Sequence, residues 1–265
     1  MIKHSVLLFL VLLNMMGAGR PCNKVQEQPI PVLGYRLVWA DEFDGKTLDR
    51  TKWKYRGLGQ RGDAINDKSS VYLDGRGHLV IEARWVDDKI YAGIIDTEGL
   101  FETRYGYFEC RAKLPMIAGI WPAFWLQSSS NKDDTEPATA GAEIDIFEYF
   151  HHERRDTVSH SLHWGGYGRT HRVAGPVLGP MKKTLDGYHV FGLEWTPDSY
   201  STFVDGVKTY SGNTLISGVP EFIVLSLEVN KQVAGPLDRR NLPGKFIIDY
   251  VRVYKKRNNE KPAIK

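Results

Sequence analysis

The feature that most constrains this chain is the rhythm of its apolar residues. From Tyr35 to Tyr254 they fall in short runs with a period of two, divided by turn-forming pairs such as Gly75-Arg76 and Asp205-Gly206. Nowhere do they hold a 3.6-residue period over a helix-sized length. A period of two sends alternate side chains to opposite faces of a strand, so each run has one face to bury. Roughly a dozen such strands, joined by turns, bury those faces against one another as an antiparallel sandwich. The chain is therefore expected to be all-β. At 265 residues it suits a single domain of that class, and no internal repeat divides it.

One run breaks the pattern. Ala142-Glu143-Ile144-Asp145-Ile146-Phe147-Glu148-Tyr149-Phe150 is strand-like in its Ile, Phe and Tyr, yet three carboxylates interrupt it. A water-facing strand edge would explain them as well as a functional face does. Alternation puts Glu143 and Asp145 on one face and Ile144 and Ile146 on the other, which leaves Glu148 on the apolar side. A lone carboxylate among Ile and Phe is costly. An extra residue at Ile146-Phe147 returns Glu148 to its fellow acids, and such β-bulges gather beside active sites. The expectation is three carboxylates on one face.

The ends and the overall charge set further bounds. Lys3 and His4 precede the apolar run Ser5–Leu13, and Gly17-Ala18-Gly19 offers a cleavage point, so residues 1–19 read as a secretory signal. Residues 20–33 read as an N-terminal tail, 34–256 as the domain and 257–265 as a C-terminal tail. The mature protein is expected to be secreted or periplasmic, monomeric and without a membrane span. A lipid anchor at Cys22 is the lesser alternative, because Pro21 stands where a small residue belongs. With 2 Cys there is no disulfide framework. Formal charge is +3 with signs interspersed, which gives nucleic acid nothing to grip.

The 7 Trp and 13 Tyr suit sugar rings as well as core packing. In Ile120–Gln127, Trp121, Ala123 and Trp125 share a face, and the expectation is one indole in the cleft and one in the core. In Val158–Trp164, His160 and Leu162 share one face and Ser161 and His163 the other. His163 and its neighbour Trp164 are candidates for binding sugar hydroxyls and rings. Asn66, in the irregular polar stretch 46–70, either points into a cleft or caps a loop. A zinc site is not expected, since no HExxH motif or cysteine pair accompanies the histidines.

Glu143-Ile144-Asp145-Ile146-Phe147-Glu148 resembles the bulged signature of glycoside hydrolase family 16: Glu, any, Asp, any, any, Glu. Trp121–Leu126, Leu193–Pro197, Val204–Gly206 and Ile248–Tyr254 resemble the same family in order and approximate spacing. The resemblance implies a β-jelly-roll sandwich of two curved antiparallel sheets, concanavalin A-like, with polysaccharide lying across the concave one. It implies Glu143 as nucleophile, Glu148 as general acid/base and Asp145 as the assisting carboxylate. A retaining glycosidase needs two carboxyl groups about 5–5.5 Å apart, whereas five regular strand residues span roughly 16 Å. Bulge, bend and long side chains together must close that gap.

No cofactor is required, but the resemblance suggests a structural Ca2+ held by Asp249 and main-chain oxygens near Glu42 and Gly77, with a plain turn-and-strand Asp249 the alternative. It makes a β-1,3- or β-1,3-1,4-glucan the leading substrate and a β-galactan of the agar, porphyran or carrageenan type the alternative. The chain departs from many glucanases of the family at Tyr91–Ile95 and at Leu227–Lys231, where Ser-x-Arg and Gly-Gly segments are usual. A lectin-like module without chemistry is the distant third reading.

Overall fold

The computed structural model describes residues 34–133, 135–181 and 185–257. The expected leader, nearly all of both tails and Cys22 lie outside the described residues. Within them the strands are β1 (Tyr35–Asp41), β2 (Lys54–Tyr55), β3 (Gly59–Arg61), β4 (Ala64–Asn66), β5 (Val71–Leu73) and β6 (Leu79–Val86). They continue as β7 (Lys89–Asp96), β8 (Glu102–Thr103), β9 (Gly106–Lys113), β10 (Ile120–Gln127), β11 (Glu143–Glu148) and β12 (Thr157–Trp164). The last six are β13 (Arg172–Pro180), β14 (Tyr188–Trp195), β15 (Tyr200–Val204), β16 (Val207–Gly212), β17 (Glu221–Val229) and β18 (Gly244–Lys256). Among the described residues helix is confined to short turns such as Pro137–Ala140 and Lys231–Ala234.

These strands form one hydrogen-bonded system folded into two layers. In the first layer β18 pairs with β9 along one edge, and β14, β15 and β16 follow outward. Along its other edge β18 pairs with β1 and β6 in succession. The second layer runs β2, β7, β17, β10, β11, β12, β13. The β6–β7 hairpin joins the layers. Every pairing is antiparallel except β4 with β7, as expected for strands linked by short turns.

Alternation explains why the core lies between the layers. On β17, Ile223, Leu225 and Leu227 point inward, into a cluster with Phe108, Phe124, Phe147, Phe191 and Phe246. Phe147 of β11 sits 4.0 Å, ring centroid to centroid, from Phe191 and meets Phe246 edge-on at 5.9 Å. Burying each such ring is worth about 2–3 kcal/mol, so the acidic strand is anchored through its apolar face. The opposite face of the second layer carries a small apolar floor of Ile94, Ala123, Trp125, Phe222 and Val224.

Two stretches differ from the sequence expectation. β13 was hidden by its glycines and prolines, which an edge strand tolerates because one side of it needs no partner. Residues 46–70 contain β2, β3 and β4, each too short to show a period.

Candidate active site

The acidic strand carries the expected bulge. Against β10, Asp145 pairs with Trp125 and Phe147 with Phe124, so Ile146 is extra. Against β12, Asp145 pairs with Ser161 and Glu148 with Ser159, so Ile146 and Phe147 of β11 face the single residue His160. Ile146 and Phe147 therefore both turn into the core, and Glu148 returns to the face of Glu143 and Asp145. The rungs then read across the sheet. Ser159, Ser161 and His163 of β12 stand opposite Glu148, Asp145 and Glu143, while Ala123, Trp125 and Gln127 of β10 flank them on the other side.

These side chains line a cleft of about 450 Å³ with Trp121, Trp125, Tyr167, His171, Arg56, Arg61 and Glu228. A second lobe of about 310 Å³ shares Trp121, Glu148 and His163 with it and continues past Phe150 and Arg154. Glu148 thus sits where two lobes of one groove meet, with Glu143 and Asp145 in the first of them.

The two outer acids have unlike neighbours. The Glu143 carboxylate accepts a short hydrogen bond from the Tyr167 hydroxyl and one of 3.4 Å from Gln127 Nε2. Burial raises its pKa, while Tyr167, His163 and Arg61 pull the other way. Glu148 is pushed well above the carboxylate range, by burial first and then by the charges of Asp145 and Glu143; Trp121 opposes this only in part. Asp145, 3% exposed, is raised by burial and by Glu143, and its Oδ2 lies 3.3 Å from His163 Nε2. Both outer acids are thus raised by burial, and Glu148, with like charges beside it and less to oppose them, is raised further than Glu143.

The structure sorts the other predicted residues. Trp121 and Trp125 both face the cleft, which corrects the expectation of one core indole. Trp125 is 7% exposed, hydrogen-bonds Ser226 Oγ at 3.1 Å and lies under the Arg56 guanidinium. His163 lines the cleft, but Trp164, one residue on, falls on the opposite face and packs into the core. Asn66 is buried, and its Nδ2 donates to the Gly57 carbonyl at 3.0 Å. It ties a loop and does not line the groove.

The side chains expected near calcium are engaged elsewhere. Asp249 is paired with Arg111, and Glu42 accepts two 2.8 Å hydrogen bonds from Arg252. Gly77 has φ +88° and packs against Asp44. Among the described residues, neither Asp249 nor Glu42 belongs to a group of three metal-ligating side chains; only Glu143, Asp145 and His163 form one. The Asp249 and Glu42 side chains are thus committed to arginines, and any cation there would rest on main-chain oxygens.

Sequence reasoning missed Tyr167, Gln127, Arg56, Arg61 and Glu228. Gln127 was legible, sharing the face of Trp121 and Trp125 by alternation. Tyr167 stands among Gly165, Gly166 and Gly168, and φ near +70° at the first two turns the chain back over the acids. Arg61 and Glu228 are 167 positions apart and meet in a bidentate pair at 2.7 and 3.0 Å. Only the tertiary fold brings them together.

The family model described as Glycosyl hydrolases family 16 matches residues 64–252. The chain is 27% identical over 266 residues to Glucan endo-1,3-beta-glucosidase A1 of Niallia circulans, covering 84% of this chain and 38% of that protein. It is 28% identical over 247 residues to Keratan-sulfate endo-1,4-beta-galactosidase of Sphingobacterium multivorum, covering 83% and 55%. The chain thus spans about half or less of the length of these two relatives. The crystal structure of laminarinase from Flavobacterium sp. UMI-01 superposes with a TM-score of 0.70 at 29% identity, covering 83% of this chain and 100% of that one.

Proposed function

This chain belongs to glycosyl hydrolases family 16, and from that premise we propose that it is a retaining endo-β-glycanase acting on a polysaccharide laid across the acidic strand. The observation that carries the reading is the bulge, which sets Glu143 and Glu148 on one face with opposite electrostatic surroundings. Glu143 attacks the anomeric carbon as Glu148 protonates the departing glycosidic oxygen. Glu148, now ionised, then takes a proton from water, which releases the sugar from Glu143 with its configuration retained. Asp145, held against His163, keeps the proton inventory of the site from falling to three charges at once.

The substrate we favour is a β-1,3- or β-1,3-1,4-glucan. Two groove cations are committed to protein acids, Arg61 to Glu228 and Arg56 to Asp96 at 3.1 Å. That leaves this lobe suited to a neutral sugar chain in preference to a sulfated one. The second reading is a β-galactan hydrolase, favoured by the Arg61–Glu228 pair itself, which fills space where a glucanase of this family usually has glycine. Sizing the products from laminarin, lichenan, agarose, porphyran and carrageenan decides between them. Cleavage of the first two alone supports the glucan reading, cleavage of the galactans alone supports the second, and binding without cleavage across the panel overturns both. We also propose export through the 1–19 leader, checked by the N-terminus of secreted protein. A calcium ion held by main-chain oxygens near Glu42 and Gly77 is tested by melting with and without chelator, where an unchanged Tm dismisses it.

A further inference from the structure

The bulge has a brace. Ile146 is skipped in the registers of β11 with both its neighbours, and its carbonyl has a side-chain partner. It accepts from His160 Nδ1 at 2.6 Å. The imidazole is 4% exposed and points away from the groove. Its Nε2 lies 2.9 Å from Thr209 Oγ1, and Thr209 Oγ1 lies 3.0 Å from Thr202 Oγ1. Thr209 is on β16 and Thr202 on β15, both in the other layer. With Nδ1 donating to a carbonyl, Nε2 accepts from the threonine hydroxyl, which fixes the neutral tautomer.

The fold has made room for this ring. A Cβ on Gly179 of β13 would lie 2.5 Å from His160 Nε2. Any side chain at 179 would displace the imidazole. Burial lowers the His160 pKa to about 4, so the donor at Nδ1 stays neutral through the range in which carboxylates work.

From this geometry we infer that His160 is a positioning residue for catalysis. It clamps the one extra residue of the acidic strand to the opposite layer and so fixes where Glu148 stands relative to Glu143. Without the clamp the buried Ile146 carbonyl loses its side-chain donor, and the strand gains by moving the bulge or easing it out. Either change carries Glu148 away from the groove face. The inference rests on the hydrolase reading for its catalytic consequence, but the clamp itself is testable apart from it.

His160→Leu fills the site with a side chain that cannot donate, His160→Asn replaces the Nδ1 donor, and Thr209→Val removes only the far contact. The expected result on the substrate found by the polysaccharide panel is a fall in kcat of about 10–100-fold for His160→Leu, because a small misplacement of a reacting group costs that much. KM should stay within about twofold, since His160 does not touch the groove. His160→Asn should recover most of the rate, and Thr209→Val should lose about two- to fivefold in kcat with the same split. Amide exchange of the peptide spanning 143–148 should quicken in His160→Leu and not in His160→Asn.

A merely structural histidine would lower the melting temperature of His160→Leu and leave kcat per folded molecule unchanged, which would overturn the inference. So would a His160→Asn variant as slow as His160→Leu. Should His160→Leu not fold, the kcat of Thr209→Val decides, and no loss there overturns the clamp. If the parent cleaves nothing, the hydrolase reading fails, while faster exchange confined to 143–148 still supports the clamp and unchanged exchange removes it.

Discussion

The two ends of β11 carry the same side chain in different company. At one end Glu143 accepts from Tyr167 and Gln127 and feels His163 and Arg61. At the other, Glu148 has burial and three acids acting on it, and only the Trp121 indole against them. In the proposed mechanism this difference is what assigns the nucleophile's role to one glutamate and the proton donor's to the other. The difference teaches that the assignment is made by the loops and neighbouring strands, since the strand supplies two identical groups.

The strongest way to break the comparison is to remove the charge at the well-supported end. Glu143→Gln keeps the shape and the neighbours, so the fold should persist while turnover falls by about 10⁴–10⁶-fold. Steady-state rates on polymer, with circular dichroism as the fold control, check this. Turnover within tenfold of the parent would reassign the nucleophile. Glu148→Ala removes the proton donor, and the loss should be about 10²–10⁴-fold on natural glycan. With an aryl glycoside whose leaving group needs no proton, azide should restore the rate and yield a glycosyl azide of retained configuration. The alkaline limb of the pH profile should disappear as well, because it reports the loss of the Glu148 proton.

How much of this was legible follows from range. β11, β10, β17 and β18 could be read because their alternation is written in consecutive residues, and the misfit of Glu148 was enough to locate the bulge at Ile146-Phe147. Trp164 was misplaced by adjacency: it follows His163, and one step along a strand reverses the face. Asn66 was ambiguous because a polar residue in irregular chain satisfies either a ligand or a backbone carbonyl, and here it satisfies Gly57. Arg61 with Glu228, and Tyr167 with Glu143, join distant positions through a hairpin and a glycine loop. No local pattern encodes such meetings. The arginines that pair with the Asp249 and Glu42 side chains likewise come from other strands.

Smaller changes sharpen the contrast without abolishing it. Tyr167→Phe removes the hydrogen bond that favours ionised Glu143. The Glu143 pKa should rise, so the acid limb of the pH–rate profile moves to higher pH, and kcat should fall about tenfold, as expected for a hydrogen bond to a charged group. An unmoved acid limb would show that Tyr167 contributes no support to that end. Glu228→Gln acts on both ends in one direction, because the Glu228 charge raises the pKa of Glu143 and of Glu148. Both limbs should move to lower pH with the peak rate changed by about twofold or less, the partner Arg61 being half exposed and screened by water. A shift of one limb alone would mean that Glu228 communicates with one end only.

Glu221 offers the mildest test and lies beneath the Glu143 end. Its carboxyl is fully buried, accepts from the Ala142 amide at 3.0 Å, and has its pKa raised to about 8 by burial. The folded protein therefore holds a proton there that the unfolded chain releases near the ordinary glutamate value of 4.5. The stability this contributes is complete below about pH 4.5 and is lost as pH rises through about 8. Ionisation would also set a second negative charge under Glu143 and erode the advantage of that end. Glu221→Gln keeps an acceptor for Ala142 and carries no proton to lose. Its activity at the optimum should match the parent, while above pH 8 it should unfold at higher denaturant concentration, by up to a few kcal/mol at pH 9. Below pH 4.5 the advantage should vanish. Denaturant melts of both proteins from pH 4 to 9 check this, and parallel stability curves would show that Glu221 is already ionised at neutral pH and that the Glu143 end tolerates the charge below it.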